Sequence, residues 1–209
     1  MPKTEPFDKF SREYEAWFER NRFVYLSELE AVRKQLPETG RRLEIGVGTG
    51  RFAAPLGIEL GLEPSRAMSE AARRRGVTVI EGTGEELPFD DAEFDAVLMV
   101  TTICFLDDVM GALAEAYRVL KSGGCLIVGF VDKNSLLGRT YQQQRAESLF
   151  YGPATFFSSD EVSRFMEGAG LRELTFVQTV FQDLPKIVQV EPVRAGHGEG
   201  SFVVARGVK

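Results

Sequence analysis

The sequence predicts an α/β protein built on a doubly wound, mostly parallel sheet of seven strands, and three observations carry that reading. From residue 43 to residue 131, strand-length apolar runs alternate with helix-length segments, as in a sheet wound with helices on both faces. Phe94 to Val100 is almost continuously apolar, as a strand is when neither face meets water. The first strand, Leu43-Glu44-Ile45, runs into glycines at 46, 48 and 50, a turn without Cβ atoms that lets a ligand come close to backbone. With 209 residues and 44% hydrophobic side chains, the chain can fill one sizeable core, so a single domain over 1–209 is expected.

The elements follow in chain order. From Phe7 to Leu36 the apolar spacing is helical: Phe10, Tyr14, Trp17 and Phe18 form one stripe, Tyr25, Leu29, Val32 and Leu36 another, with a bend at Asn21-Arg22. Pro37 and Gly40 close this region before the first strand. Pro55 restricts the segment Arg51 to Gly57 to a short helix. The second strand, Ile58 to Leu62, ends at Glu63-Pro64-Ser65, and Ser65 can cap the helix bearing Ala67, Met68, Ala71 and Ala72. Val77 to Ile80 is the third strand and Phe94 to Val100 the fourth. Asp107 or Asp108 starts a helix that Gly123-Gly124 stops, and Cys125 to Val131 is the fifth strand. Residues 133–157, polar and aromatic, interrupt the alternation. Ser158 and Glu161 have the spacing of a capping box, and the strands Leu174 to Phe181 and Ser201 to Ala205 complete the sheet.

Charge and composition narrow the function. A formal charge of −6 argues against nucleic acid as the main partner, because phosphate binding needs a basic surface. Cys104 and Cys125 sit in apolar runs and read as free thiols of a reducing compartment, so a cytoplasmic protein is expected. One histidine and two distant cysteines make no usual metal site. The charged N-terminus has no signal-peptide core, and no apolar run reaches spanning length, so no membrane partner is expected.

The glycine turn admits two readings. Gly48-Thr49-Gly50-Arg51-Phe52-Ala53 matches a degenerate dinucleotide fingerprint, which would make the protein a nicotinamide-dependent oxidoreductase. That register leaves Gly46 unexplained and sets the carboxylate of Glu44 where it would repel a pyrophosphate. An acid followed by alternate glycines suits a ligand with a positive amine and sulfonium better.

Four stretches together resemble the class I S-adenosylmethionine-dependent methyltransferases, of the small-molecule type. They are Glu44-Ile-Gly46-Val-Gly48-Thr-Gly50, Glu63-Pro64-Ser65, Glu85-Glu-Leu87-Pro88-Phe89 with Phe94-Asp95, and Glu115 through Gly124. The resemblance implies a Rossmann-like sheet with an antiparallel last strand, a helical lid over 1–40 and a cap insertion over 133–157. It implies S-adenosylmethionine as cofactor and a small-molecule nitrogen or oxygen acceptor. By the same resemblance Gly46 and Gly48 approach the methionine and ribose portions, and Glu44 helps orient the methionine amine through backbone or water. Glu63 accepts the ribose hydroxyls, Pro64 packs on the adenine, and Gly84 offers its N–H to an adenine ring nitrogen. Val100 and Thr101 approach the sulfonium, and Tyr14 or Trp17 closes the pocket. Thr83 stands where the family often has aspartate, so Glu85 or a backbone carbonyl would take the adenine amino group.

The acceptor pocket is expected in the cap, at Tyr141, Tyr151, Phe156 and Phe157. His197, between flexible glycines, is the candidate general base, because imidazole can exchange protons near neutral pH. The plainer reading, an exposed loop histidine, is preferred. A protein that binds S-adenosylmethionine without turnover is the alternative from another class, since no acid or base is obvious in the motifs. The sequence assigns neither the acceptor nor an oligomeric state.

Overall fold

The structure, a computed structural model, describes residues 4–209; Met1 to Lys3, at the start of the expected lid, lie outside the described residues. Helices α1 (Glu5–Lys9), α2 (Ser11–Arg20) and α3 (Arg22–Gln35) open the chain. The break at Asn21 falls at the expected bend; a second, at Phe10, follows from a non-helical backbone (φ −120°, ψ 31°). Then come β1 (Arg42–Ile45), α4 (Ala53–Leu56), β2 (Leu60–Leu62), α5 (Arg66–Arg74), β3 (Thr78–Ile80) and β4 (Phe94–Val100). The chain continues through α6 (Val109–Val119), β5 (Leu120–Val131), α7 (Leu136–Gln143), α8 (Ser159–Gly168), β6 (Arg172–Thr179), β7 (Arg194–Ala195) and β8 (Phe202–Val208).

The strands form one sheet in the order β3-β2-β1-β4-β5-β8-β6-β7. From β3 to β5 every neighbour is parallel, and β8 runs antiparallel between β5 and β6. The eighth strand, beyond the seven expected, is the two-residue β7, which pairs Arg194 and Ala195 with Gln178 and Val177 inside the long connection before β8. Along β4, Ala96, Leu98 and Val100 join a core beneath α2, α3 and α4, while Val97 and Met99 join a second beneath α6 and α8. Alternation on a strand buried on both faces thus builds two cores from one apolar run.

Local signals place the helices. Ser65 accepts from Met68 N–H, Asp108 from Gly111 N–H, and Ser158 and Glu161 complete a capping box. After Pro55, α4 lasts four residues and stops at Gly57, which is left-handed (φ +68°). The chain leaves β1 toward β2 and β3 on one side and returns to β4 and β5 on the other. Ligands of such sheets bind outside the strand ends at that switch.

Candidate functional site

At that switch lies a cavity of about 420 Å³, bounded by the β1 and β4 ends, the lid helices and the cap. Its floor is the glycine turn. Gly46 and Gly48 are left-handed (φ +68° and +53°), and Gly46 N–H donates to Leu62 O at 2.8 Å. A Cβ on residue 46 would lie 2.5 Å from the Cγ2 and Oγ1 of Thr102. The Thr102 hydroxyl is itself held, donating to the carbonyls of Ile45 and Val100 at 3.1 Å each. Gly46→Ala is therefore expected to destabilise the fold by about 2 kcal/mol or more, from left-handed strain and overpacking together, measured as a lower urea midpoint.

Glu63 joins the turn to β2. Its Oε2 accepts from Gly48 N–H at 2.9 Å and its Oε1 from Ser65 N–H at 2.8 Å. Burial pushes its pKa up to about 7, against the pull of those two N–H groups; Asp8 pushes it up further. Each oxygen keeps a second lone pair, and Glu63 lines the cavity beside Pro64, Thr83, Gly84 and Glu85. Glu85 is engaged as well, accepting from Asp107 N–H at 2.9 Å.

Glu44 sits differently. It is 1% exposed and absent from the cavity wall, with one carboxyl oxygen lacking a partner. Burial holds its pKa well above the carboxylate range, opposed by the Ala53 N–H and aided by Glu63. The role expected of it, orienting the methionine amine through backbone or water, would be exercised from behind the turn. The face of β1 that carries Leu43 and Ile45 into one core turns residue 44 into the other layer.

The lid covers this floor. Phe7, Tyr14, Trp17 and Phe18 all line the cavity. The Tyr14 hydroxyl stands 3.5 Å from where a Cβ on residue 48 would be. Two fastenings hold the lid down. Ser65 Oγ donates to Asp8 at 2.6 Å, and Glu15 accepts from both Arg51 and Arg75, which flank the turn and α5. Arg75 also donates to Thr49 O, and Tyr25 to Arg51 O.

At the end of β4, Val100 and Thr101 reach the cavity as expected. Thr101 is left-handed (φ +50°), an unfavourable state for a β-branched residue, fixed by its N–H bond to Gly129 O at 2.7 Å. Such strain clusters at functional sites.

The far half of the cavity is aromatic. Tyr141 and Tyr151 stack at 4.5 Å, and Phe150 joins Phe7 at 5.7 Å, closing cap against lid. Phe156 and Phe157 are not in this wall. They border a separate pocket of about 10 Å³ behind Tyr151, and Phe157 packs edge-on against Phe165, so both are corrected to support for the cap. His197 is corrected too: it is exposed in the turn between β7 and β8, packs edge-on on Phe176 at 5.0 Å, and does not reach the cavity.

Sequence reasoning missed Glu28. It projects from α3 into the cavity wall, is 5% exposed, and has no hydrogen bond or ion pair among the described residues. Burial alone raises its pKa to about 8. The signal was present: Glu28 stands three residues after Tyr25 and four before Val32, on the stripe that faces the core.

Known proteins resemble the whole of this arrangement. Residues 43–128 match the family described as methyltransferase domain. The crystal structure of an S-adenosylmethionine-dependent methyltransferase from Thermotoga maritima, described as a "possible histamine N-methyltransferase", is 55% identical and superposes with a TM-score of 0.97 over 99% of both chains. An uncharacterised protein of Methanocaldococcus jannaschii is 43% identical over 97% of this chain and 98% of its own. A demethylmenaquinone methyltransferase of Roseiflexus castenholzii is 31% identical over 67% of this chain and 71% of its own. Among the described residues, no helix is long and apolar enough to cross a membrane. With the acid-and-glycine turn, the switch-point cavity and the Thermotoga methyltransferase matched over 99% of both chains, the chain belongs to the S-adenosylmethionine-dependent methyltransferases.

Proposed function

We propose that this methyltransferase acts on a nitrogen or oxygen atom of a small molecule held in the aromatic half of the cavity. One observation carries the reading: a single cavity joins the glycine turn and Glu63 to a wall that includes Tyr141, Tyr151 and Trp17. Bound S-adenosylmethionine supplies a methyl carbon on a sulfonium, open to in-line attack. The chain's part is to hold the attacking atom about 3–3.5 Å from that carbon.

In this reading Glu63 takes the ribose hydroxyls, Pro64 packs on the adenine and Gly84 offers its N–H to the ring. Gly46 and Gly48 let the methionine and ribose lie against backbone, with Glu44 a positioning residue behind them. Thr83 and Glu85 flank the adenine amino group, while Val100 and Thr101 face the sulfonium and Tyr14 and Trp17 close over it. Lid and cap residues both border a cavity of about 420 Å³, a size that suits a small acceptor rather than a polymer, and the acidic balance agrees. The buried thiols of Cys104 and Cys125 suit a reducing cytoplasm. The Thermotoga relative, a possible histamine N-methyltransferase, favours nitrogen, whereas the Roseiflexus relative is a demethylmenaquinone methyltransferase.

The test is turnover. Purified protein incubated with S-adenosylmethionine and separate pools of small amines, phenols, alcohols and quinols is expected to form S-adenosylhomocysteine with an amine, phenol or alcohol pool. Product with the quinols alone would replace this reading with carbon methylation. Cofactor binding with no product from any pool would favour a non-catalytic binding protein.

A further inference from the structure

We infer that Glu28 is the anchor of the acceptor, and that the acceptor is an organic amine that enters as its ammonium ion. The inference rests on the methyltransferase reading of the cavity and names what its aromatic half recognises.

Comparison with the protein's other buried acids is the starting point. Asp132 accepts from Asn134 N–H and from both the N–H and hydroxyl of Ser159. Glu191 accepts from Phe181 N–H and the Gln182 amide. Glu63 accepts from Gly48 and Ser65. These three are satisfied by the fold, and Glu44, which keeps the Ala53 N–H but has one oxygen unpartnered, is sealed behind the turn away from the cavity. Glu28 is as deeply buried, yet no described residue hydrogen-bonds to its carboxyl, and Glu28 lines the cavity. A buried carboxyl without a partner is unfavourable, so its complement is sought in what the cavity receives.

The surroundings specify a cation. Every charged side chain in the described wall is an acid: Glu28, Glu63, Glu85 and Asp107. No described lysine, arginine or histidine lines it. The titratable groups facing Glu28 are Tyr14 from α2 and Tyr141 and Tyr151 from the cap. Aromatic faces around a carboxylate attract ammonium ions, and the buried Tyr141 hydroxyl lacks a partner among the described residues. An anionic or phosphorylated acceptor finds no complement here. A neutral alcohol would leave the carboxylate unpaired.

The same group answers a chemical need. An ammonium ion has no lone pair with which to attack. Glu28 as carboxylate takes one proton and becomes a carboxylic acid, leaving a neutral amine. As the nitrogen–carbon bond forms, the carbon–sulfur bond breaks and its electron pair stays on sulfur, so the positive charge passes to the methylated amine. A carboxyl whose pKa lies at about 8 is a far better proton acceptor from an amine than an ordinary one.

Calorimetry on the full chain saturated with S-adenosylhomocysteine tests this. The titrants are 2-phenylethylamine and n-butylamine, with 2-phenylethanol and n-butanol as neutral counterparts, at pH 7 in two buffers of different ionisation enthalpy. At least one amine is expected to bind on the order of 30-fold more tightly than its alcohol, the worth of one desolvated charge pair. Its binding should release up to about one proton, because Glu28 must ionise to pair with it. Glu28→Gln should lose both the preference and the proton while still binding S-adenosylhomocysteine. Alcohols binding as well as amines, no amine binding at all, or an unchanged preference in Glu28→Gln would overturn the inference. If the variant does not fold, the wild-type preference and proton release decide the matter. Failure of S-adenosylhomocysteine itself to bind would instead overturn the cofactor assignment.

Discussion

Glu63→Ala is expected to weaken S-adenosylhomocysteine binding by on the order of 100-fold in titration calorimetry, without unfolding the protein. In the proposed reading Glu63 makes two charge-assisted hydrogen bonds to the ribose, at ~1.5 kcal/mol or more each. Alanine also leaves Gly48 N–H and Ser65 N–H without their acceptor, which loosens the turn that the ligand lies on. A pH series separates charge from shape. The free carboxyl has a pKa of about 7, and the ribose hydroxyls are best received by its ionised form. Wild-type affinity should therefore fall as pH drops below about 7 and level off above it. In the variant that dependence should vanish. An affinity indifferent to both residue and pH would move the ribose elsewhere in the cavity.

Glu28→Gln is expected to make the unliganded protein more stable at pH 8 and above, while removing its amine binding. The folded pKa of Glu28 is about 8, against an ordinary value of 4.5. The native state therefore keeps a proton that the unfolded chain has released. Full stability is present below about pH 4.5 and is lost progressively up to about 8. An amide has no such proton to lose. The shift corresponds to a few kcal/mol at most, or roughly 5–10 °C in melting temperature for a chain of this length. The two melting curves should converge near pH 4.5 and separate as pH rises. Equal melting temperatures at pH 8.5 would show that the cavity hydrates the carboxylate after all. Gain of stability with loss of binding is the usual mark of a residue kept for function.

Most of the fold was legible because its signals are local. Ser65, Asp108 and the Ser158–Glu161 box each mark a helix start within four residues, and Gly57 marks a stop. That Gly46, Gly48, Glu63 and Gly84 would line one cavity was legible for a similar reason: all stand within a few residues of a strand's carboxyl end. The acceptor half was harder. Its wall is assembled from α2, α3, the end of β5 and the cap, and no spacing along the chain reports that Glu28, Val131 and Tyr141 meet. Glu28 went unread because a helical stripe is traced by its apolar members, and an acid within it looks like a gap. Phe156 and Phe157 follow Tyr151 closely in sequence, but the chain passes behind that ring. The position of His197 depends on the pairing of a two-residue strand, β7, that no pattern announced.

The two fastenings of the lid, Asp8 to Ser65 and Glu15 to Arg51 and Arg75, have a kinetic consequence. Residues of this segment line the cavity from the glycine turn to the cap. In the proposed reading, spent donor would leave and fresh donor enter past that flap. Each catalytic cycle would then include one lifting of a strip of about twenty residues, and that hinge would set the ceiling on turnover.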